Sequence, residues 1–174
     1  MSDEREGHGG GDEADTSDES DLAPLRTVAD YQFGRGAGTA LFPAAETFDV
    51  ERSTSGRPRQ VIADEGRLVT YTTDGRFTLG LAGGARLCAA LAPPANRVVV
   101  GDESEPFVRD GKNTFAKFVA EVDPTIRPGD EVAVVHRDGD LLAVGRAELS
   151  ADAMLDFDTG MAVKIREGAG DRPD

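Results

Sequence analysis

The sequence is poor in the residues on which several kinds of protein chemistry depend. Its 174 residues include one cysteine, Cys88, and two histidines, His8 and His136, which lie far apart along the chain. A single cysteine excludes an internal disulfide and a cysteine-ligated metal cluster, and Cys88 fits the apolar face of a helix as a core residue. A histidine metal site and a Ser/His/Asp triad are poorly supported for the same reason. We therefore expect neither a metal nor a cofactor.

Long apolar runs are also missing. No segment approaches the roughly 18 consecutive apolar residues that a membrane-spanning helix needs, and the N-terminus lacks the apolar centre of a signal peptide. The hydrophobic fraction of 39% still allows packed cores. We therefore expect a cytoplasmic protein with no membrane partner.

Lysine is scarce, with three lysines against sixteen arginines, while twenty aspartates and thirteen glutamates bring the net charge to −14. An acidic, lysine-poor surface suits a cytoplasm with molar salt, where the Debye length falls to about 3 Å. The composition thus predicts a halophilic protein, with an acidic mesophilic protein as the alternative. In a halophilic protein, overall acidity does not exclude a nucleic-acid partner.

The first 24 residues contain nine acidic residues, one arginine and few large apolar side chains. Such a segment buries too little apolar surface to offset the entropy lost on ordering, so residues 1–24 are predicted to be a disordered acidic tail. The tail fits a solvating extension of a halophilic protein, and the alternative is an acidic interaction arm.

Residues 25–95 are predicted to form an antiparallel sheet with flanking helices. Thr27 is a candidate helix cap, and the glycines of 34–38 indicate a tight turn between two short helices. Alternating apolar residues predict strands over 48–52, 57–62, 68–73 and 77–81, with Asp74-Gly75 as a hairpin turn. A short helix over 82–91 ends at a pair of prolines.

Residues 96–170 are predicted to form a small β-barrel or sandwich. The strands are expected over 97–100, 113–122, 131–136, 141–149 and 161–166, with helical turns at 105–109 and 150–154. Gly111 is a candidate left-handed stop for the first helical turn. The fold class is therefore α+β, with mostly β structure.

Four segments of this second region resemble, in order and spacing, a PUA domain, the pseudo-barrel found in pseudouridine synthases and archaeosine transglycosylases. They are RVVVGDESEPFVRDGKNTFAKFV (97–119), RPGDEVAVVH (127–136), LLAVGRAEL (141–149) and GMAVKIREG (160–168). The preceding segments ADYQFGRGAGTALFP (29–43), RPRQV (57–61) and DGRFTLGLAGGARL (74–87) resemble the module before the PUA domain in archaeal tRNA-guanine transglycosylase. The catalytic barrel of that enzyme has several hundred residues and has no counterpart here. The resemblance therefore implies an archaeal PUA-type pseudo-barrel with its preceding module, standing alone.

The resemblance implies an RNA-facing surface on the first PUA helix, the strand after it and the last strand. The corresponding residues are Arg109, Lys112, Asn113, Phe115, Lys117, Lys164 and Arg166. Lysine and arginine attract phosphates, and an exposed aromatic ring stacks on an unpaired base. All three lysines of the protein fall in this set. The alternatives are strand-edge charges for the lysines and a core position for Phe115.

A second candidate RNA patch is a set of arginines in the first module, where basic residues slightly outnumber acidic ones. The set comprises Arg52, Arg57, Arg59, Arg67 and Arg76. Arginine offers two-point contacts to phosphate. The alternative is a solvated strand face with ion pairs to Asp49, Glu51 and Asp64.

Two functions are consistent with these observations. The first is an RNA-binding protein for tRNA or another structured RNA, which acts alone or as an accessory of RNA modification. The second is a separated RNA-recognition subunit of an archaeosine-pathway enzyme, inactive without its catalytic partner. In both cases we expect no catalytic residues in this chain, because its acidic pairs fall in turns and its two folded units leave little room for a deep pocket. A regulator that uses the PUA fold for another ligand is a weaker third possibility.

Overall fold

The computed structural model of the chain describes residues 15–172. Helix α1 (Glu19–Phe33) begins at Asp18, whose side chain accepts a hydrogen bond from the Asp21 backbone N–H while Asp21 bonds back to the Asp18 N–H. This reciprocal cap satisfies two otherwise unpaired backbone donors. The helix buries Leu22, Leu25, Ala29 and Phe33, which recur at helical spacing.

The helix start predicted at Thr27 is wrong, because the cap lies nine residues earlier. The predicted tail of residues 1–24 also differs from the structure over its last part. Residues Asp15–Thr16 form strand β1, and 19–24 belong to α1, where Leu22 is buried. Residues 1–14 lie outside the described residues.

The first module is a five-stranded antiparallel sheet in the order β1-β2-β3-β4-β5. Its further strands are β2 (Asp49–Arg52), β3 (Pro58–Ala63), β4 (Gly66–Tyr71) and β5 (Phe77–Leu79). Helices α1, α2 (Ala37–Leu41) and α3 (Leu81–Ala90) pack on it around Phe42, Phe48 and Phe77. The predicted glycine turn between two helices is confirmed, since Gly34 and Gly36 have φ angles of 111° and 96°.

The second module is a six-stranded, nearly closed sheet in the order β7-β11-β10-β9-β6-β8. The strands are β6 (Arg97–Val100), β7 (Thr114–Phe115), β8 (Val119–Val122), β9 (Glu131–His136), β10 (Leu141–Ala147) and β11 (Met161–Gly168). Only the β6–β9 pair is parallel among these described strands. The short helices are α4 (Glu105–Arg109) and α5 (Ala151–Asp156).

The predicted continuous strand over 113–122 is wrong. Strand β7 pairs with β11, whereas β8 pairs with β6 at the other edge of the sheet. The chain must therefore cross from one edge to the other, and a 3₁₀ helix over Ala116–Phe118 makes that crossing with Ala116 buried. Lys117 consequently lies in a helical turn and not on a strand face.

The two modules pack against each other through α3 and β10. Gly84 of α3 meets β10 so closely that a Cβ atom there would lie 2.6 Å from Val144 Cγ1. The Arg97 guanidinium donates to the carbonyls of Cys88 and Leu91 at 2.6 and 3.0 Å, which joins the end of α3 to β6. These contacts hold the modules in one arrangement. None of the helices within residues 15–172 has the length and apolar character to cross a membrane.

Candidate nucleic-acid interface

A pocket of about 370 Å³ lies between α4 and β7 and has a nearly apolar lining. Phe107, Phe115 and Phe118 line it, and Phe107 and Phe115 are 61% and 46% exposed. Exposed apolar side chains that lie together mark binding grooves, whereas single exposed ones are ordinary. Phe115 is therefore not the core residue that its strand position favours.

The local sequence explains why these rings meet. Helix α4 ends at Asp110, and Gly111 with φ 92° lets the chain reverse direction. The Lys112 N–H then donates to the Phe107 carbonyl at 2.9 Å, which carries the chain back past α4 into β7. Phe107 and Phe115, eight residues apart, thus border one pocket.

The polar residues at this pocket are Glu103 and Ser104, before α4, and the three consecutive residues 112–114. The Lys112 ammonium is exposed and lies 3.0 Å from the equally exposed Asp110 carboxylate, an ion pair that solvent screens strongly. Asn113 has a structural role, because its Oδ1 accepts from the Ile165 N–H at 2.9 Å and joins β7 to β11. Thr114 also lines the pocket, and its buried hydroxyl has no hydrogen-bond partner among the described residues.

Lys117 borders a second depression, next to the first. Its Nζ atom lies 5.1 Å from the centre of the Phe118 ring, and Phe118 lines both depressions. Because Lys117 lies in the 3₁₀ helix, it does not continue the strand face of Phe115. Lys112 and Lys117 nevertheless stand at the two sides of Phe118.

Arg109 does not contribute to this surface. It is only 8% exposed, and its Nε donates to Glu105 Oε2 at 2.8 Å while Nη1 donates to the Gly170 carbonyl at 3.3 Å. The guanidinium therefore fastens α4 to the C-terminal segment. Its assignment as a surface RNA contact is corrected to a structural role.

Lys164 and Arg166 lie on the exposed side of β11 and border a separate depression of about 290 Å³ with Arg146 and Ile165. This depression has no lining residue in common with the phenylalanine pocket. The structure thus divides the predicted surface into two sites. Arg166 is also held in a two-point ion pair with Glu131.

The second candidate patch does not form one free basic surface. Arg52 pairs with Asp21 at 2.8 Å, Arg67 with Glu167 at 3.3 Å and Arg76 with Asp130 at 3.6 Å. None of these three pairs was predicted.

The other two members of the patch differ in exposure. Arg57 is partly buried, where its guanidinium lies 4.5 Å from the centre of the Tyr71 ring and donates to the Thr72 carbonyl. Arg59 is exposed.

His136 stands among carboxylates at the far end of β9. Its Nε2 lies 2.6 Å from Asp102 Oδ1 and 3.8 Å from Glu105 Oε1, and Nδ1 lies 3.0 Å from Asp138 Oδ1. The bond to Asp102, with the negative charge of Asp138, raises the pKa of His136 above its usual value despite partial desolvation. Asp102, Glu105 and His136 are close enough to share a cation. The Glu105 oxygens, however, already accept from Arg109 and Arg172, so we describe the cluster as a hydrogen-bond network.

Three residues of these surfaces were not found from the sequence. Phe107 and Phe118 look like ordinary core residues, because neither the exposure of Phe107 nor the 3₁₀ helix that contains Phe118 follows from apolar periodicity. Arg146 has an exposed strand position, and only the strand register shows that it faces Lys164.

Comparison with known families defines the class of this protein. The patch-forming domain C2 of tRNA-guanine transglycosylase matches residues 23–94, and the PUA domain matches residues 96–169. Residues 23–94 thus match a C2 domain and residues 96–169 a PUA domain, in the order of the two structural modules. The resemblance drawn from the sequence and the predicted fold class are both confirmed.

The particular relatives are archaeal tRNA-guanine(15) transglycosylases. That of Pyrococcus furiosus is 46% identical over 155 residues, which are 88% of this chain and 26% of the relative. That of Thermococcus kodakarensis is 47% identical over 145 residues, 83% of this chain and 24% of the relative. The chain thus spans about a quarter of the length of these relatives.

Two solved structures share the whole fold. A hypothetical protein from Pyrococcus horikoshii OT3 covers 91% of this chain and 96% of its own, with a TM-score of 0.72 and 20% identity. A conserved PUA domain protein from Thermoplasma acidophilum covers 91% of this chain and 95% of its own, with a TM-score of 0.67 and 20% identity. Other chains therefore combine the same two modules in nearly their full length.

Proposed function

We propose that this chain is an RNA-binding protein for tRNA or another structured RNA, acting in the cytoplasm alone or as an accessory of RNA modification. The observation that carries the proposal is the pocket between α4 and β7, where two phenylalanines face solvent beside a lysine. An unpaired base stacks on such rings, and each stacked base contributes about 1–3 kcal/mol. Lys112 at the rim would then meet the adjoining phosphate.

The nature of the pocket supports RNA more than a free small ligand. Its lining is almost wholly apolar, and the exposed Lys112 borders it, which suits a flat aromatic base with a charged backbone outside. The relatives carry tRNA-guanine transglycosylase in their names, and a protein of that name acts on tRNA. This favours tRNA among structured RNAs.

The direct test is tRNA binding by a charge-reversed variant. We expect the wild-type chain to bind a labelled tRNA transcript in an anisotropy titration. Lys112→Glu combined with Lys117→Glu should weaken that binding about tenfold or more, because two phosphate contacts become repulsions. Surface changes of this kind usually alter the free energy of unfolding by less than about 0.5 kcal/mol.

A matched control is available on the same chain. Arg35 and Arg127 are exposed and border neither depression around Phe118. Arg35→Glu with Arg127→Glu changes the net charge equally, so we expect it to affect binding much less. Equal losses of tRNA affinity in both variants would mean that net charge alone explains the result. An unchanged tRNA affinity in the lysine variant would refute the assignment of the pocket.

A second candidate function is favoured by the length comparison. Since the chain spans about a quarter of the curated relatives, it fits the RNA-recognition part of a transglycosylase whose catalytic part is a separate chain. A catalytic partner should then bind tRNA more tightly, or turn over faster, in the presence of the purified chain than in its absence. An unchanged rate and affinity would favour the stand-alone function.

A further inference from the structure

The depression over β10 and β11 contains two positively charged residues that are register partners. In the ladder between β10 and β11, Arg146 is the register partner of Lys164. Both residues are exposed, and both line the depression of about 290 Å³. Directly opposed residues on one sheet face have Cβ atoms about 4.5–5.5 Å apart. The two cationic side chains are therefore held side by side by the sheet itself.

The positive charges of Arg146 and Lys164 are only partly balanced by neighbouring acidic residues. Like charges directly opposite each other destabilise a sheet. Arg146 has a counterion in Glu148, with Nη2 2.8 Å from Oε2. Among the described residues, the Lys164 ammonium has no side-chain hydrogen bond or ion pair, and the nearby Arg166 charge is balanced by Glu131. One unbalanced positive charge thus remains on Lys164, in a protein whose net charge is −14.

We infer that Arg146 and Lys164 form a second anion site, whose ligand is a phosphate of an RNA backbone. The inference rests on the RNA-binding function proposed above. Two adjacent cations match the spread charge of one phosphate, and arginine supplies the directed contacts that lysine lacks. An RNA phosphate would replace the repulsion between the two side chains with a shared attraction.

The position of the site relative to the phenylalanine pocket fits one continuous RNA segment. Phe115 is the register partner of Met161 on β11, and Lys164 follows three residues later on that strand. The β7–β11 ladder is irregular between Met161 and Val163, and beyond this irregularity Lys164 is exposed, as Phe115 is. The regular rise of about 3.3 Å per residue gives about 10 Å as the upper limit of their separation along β11. A strand with one base on Phe115 can therefore bring a phosphate of a neighbouring nucleotide to Arg146 and Lys164.

The test is a double-variant cycle with Arg146→Gln and Lys164→Gln, read out by tRNA affinity and by urea unfolding. One phosphate contact with a log–log salt slope of −0.7 to −0.9 corresponds to about five- to eightfold in affinity at about 0.1 M salt. We expect each single variant to lose about that factor and to reduce the salt slope by about one. The double variant should lose less than the product of the two factors, because both cations serve one phosphate.

The unfolding readout separates this site from a stabilising ion pair. We expect Lys164→Gln to leave the urea midpoint unchanged or to raise it, since the substitution removes a repulsion. Arg127→Gln, an exposed neutralisation away from the depression, is the matched control and should lose little affinity. If both single variants keep the tRNA affinity and the salt slope of the wild type, the second site is overturned. The proposed RNA-binding function would still stand in that case, because the wild type binds tRNA. A wild-type chain that does not bind tRNA would overturn both.

Discussion

Glu131 and Arg166 form a two-point ion pair at the junction of the two modules, with Nη1 2.7 Å from Oε1 and Nη2 2.6 Å from Oε2. Glu131 Oε1 also accepts from the Leu79 N–H of β5 at 2.9 Å, and its side chain is only 5% exposed. One carboxylate of the PUA domain thus connects β11 of its own domain to the edge strand of the C2 domain. Arg166 therefore stabilises the junction between the two modules, and this role is independent of RNA binding.

Removal of the Glu131 charge should loosen that junction. We expect Glu131→Gln to lower the free energy of unfolding by about 1.5–3 kcal/mol, because it removes the charge of a buried carboxylate that accepts hydrogen bonds from Arg166 and from the Leu79 N–H. Urea unfolding followed by circular dichroism measures this. Glu121→Gln, an exposed position on β8, is the control and should change little. A loss below about 0.5 kcal/mol for Glu131→Gln would mean that other contacts hold the modules together.

The carboxylate cluster around His136 predicts a pH-dependent stability. The pKa of His136 is raised in the folded protein above 6.5 by Asp102, Asp138 and Glu105. A raised pKa contributes stability that is complete below the unfolded value and disappears as the pH rises through the folded value. The urea midpoint of the wild type should exceed that of His136→Asn most in mildly acidic buffer. A difference between the two proteins that does not change with pH would contradict this account.

Salt dependence should be shallower than the number of phosphate contacts implies. Lys112, Lys117 and the Arg146–Lys164 pair, which shares one phosphate, would together give a log–log slope of about −2 to −3. Salt also screens the repulsion between RNA and a chain of net charge −14. We therefore expect a smaller net slope in tRNA titrations from low to molar salt. A slope as steep as the full sum would exclude a contribution from this screening.

The chain alone should not exchange bases in tRNA. Base exchange needs an activated nucleophile and a pocket for an extruded base. Burial raises the pKa of the Cys88 thiol, which keeps it protonated, and His136 is engaged by carboxylates. We expect no release of guanine and no incorporation of labelled guanine by the purified chain. Base exchange that co-purifies with this chain, and that disappears when the chain is removed, would show that RNA binding is not its sole activity.

Much of the fold could be predicted because local patterns and tertiary structure agree. The turn at Asp74-Gly75, the stop at Gly111 and the strands β9 and β11 follow from turn residues and alternation. The start of α1 was missed because Pro24 and the acidic residues before it resemble a tail. In the structure a reciprocal cap at Asp18 and the burial of Leu22 offset the acidic composition.

The site could be predicted only in part, because it depends on register and on side-chain exposure. Lys112 and Phe115, which the resemblance assigns to one RNA-facing surface, both line the pocket. Arg109 could not be recognised as buried, since the partner that covers it, Glu105, lies on the same short helix and the Gly170 carbonyl lies 61 residues away. The division between the phenylalanine pocket and the Arg146–Lys164 site arises from the crossing at residues 116–118, which no periodicity indicates.

The central claim is that the pocket between α4 and β7 binds an RNA base, and the most direct measurement compares two equally exposed phenylalanines. Phe115 is 46% exposed inside the pocket, and Phe157 is 49% exposed outside it. Stacking of one base predicts that Phe115→Ala weakens tRNA binding by about 1–3 kcal/mol, whereas Phe157→Ala leaves it unchanged. Equal tRNA affinities for the wild type and a folded Phe115→Ala variant would contradict the claim.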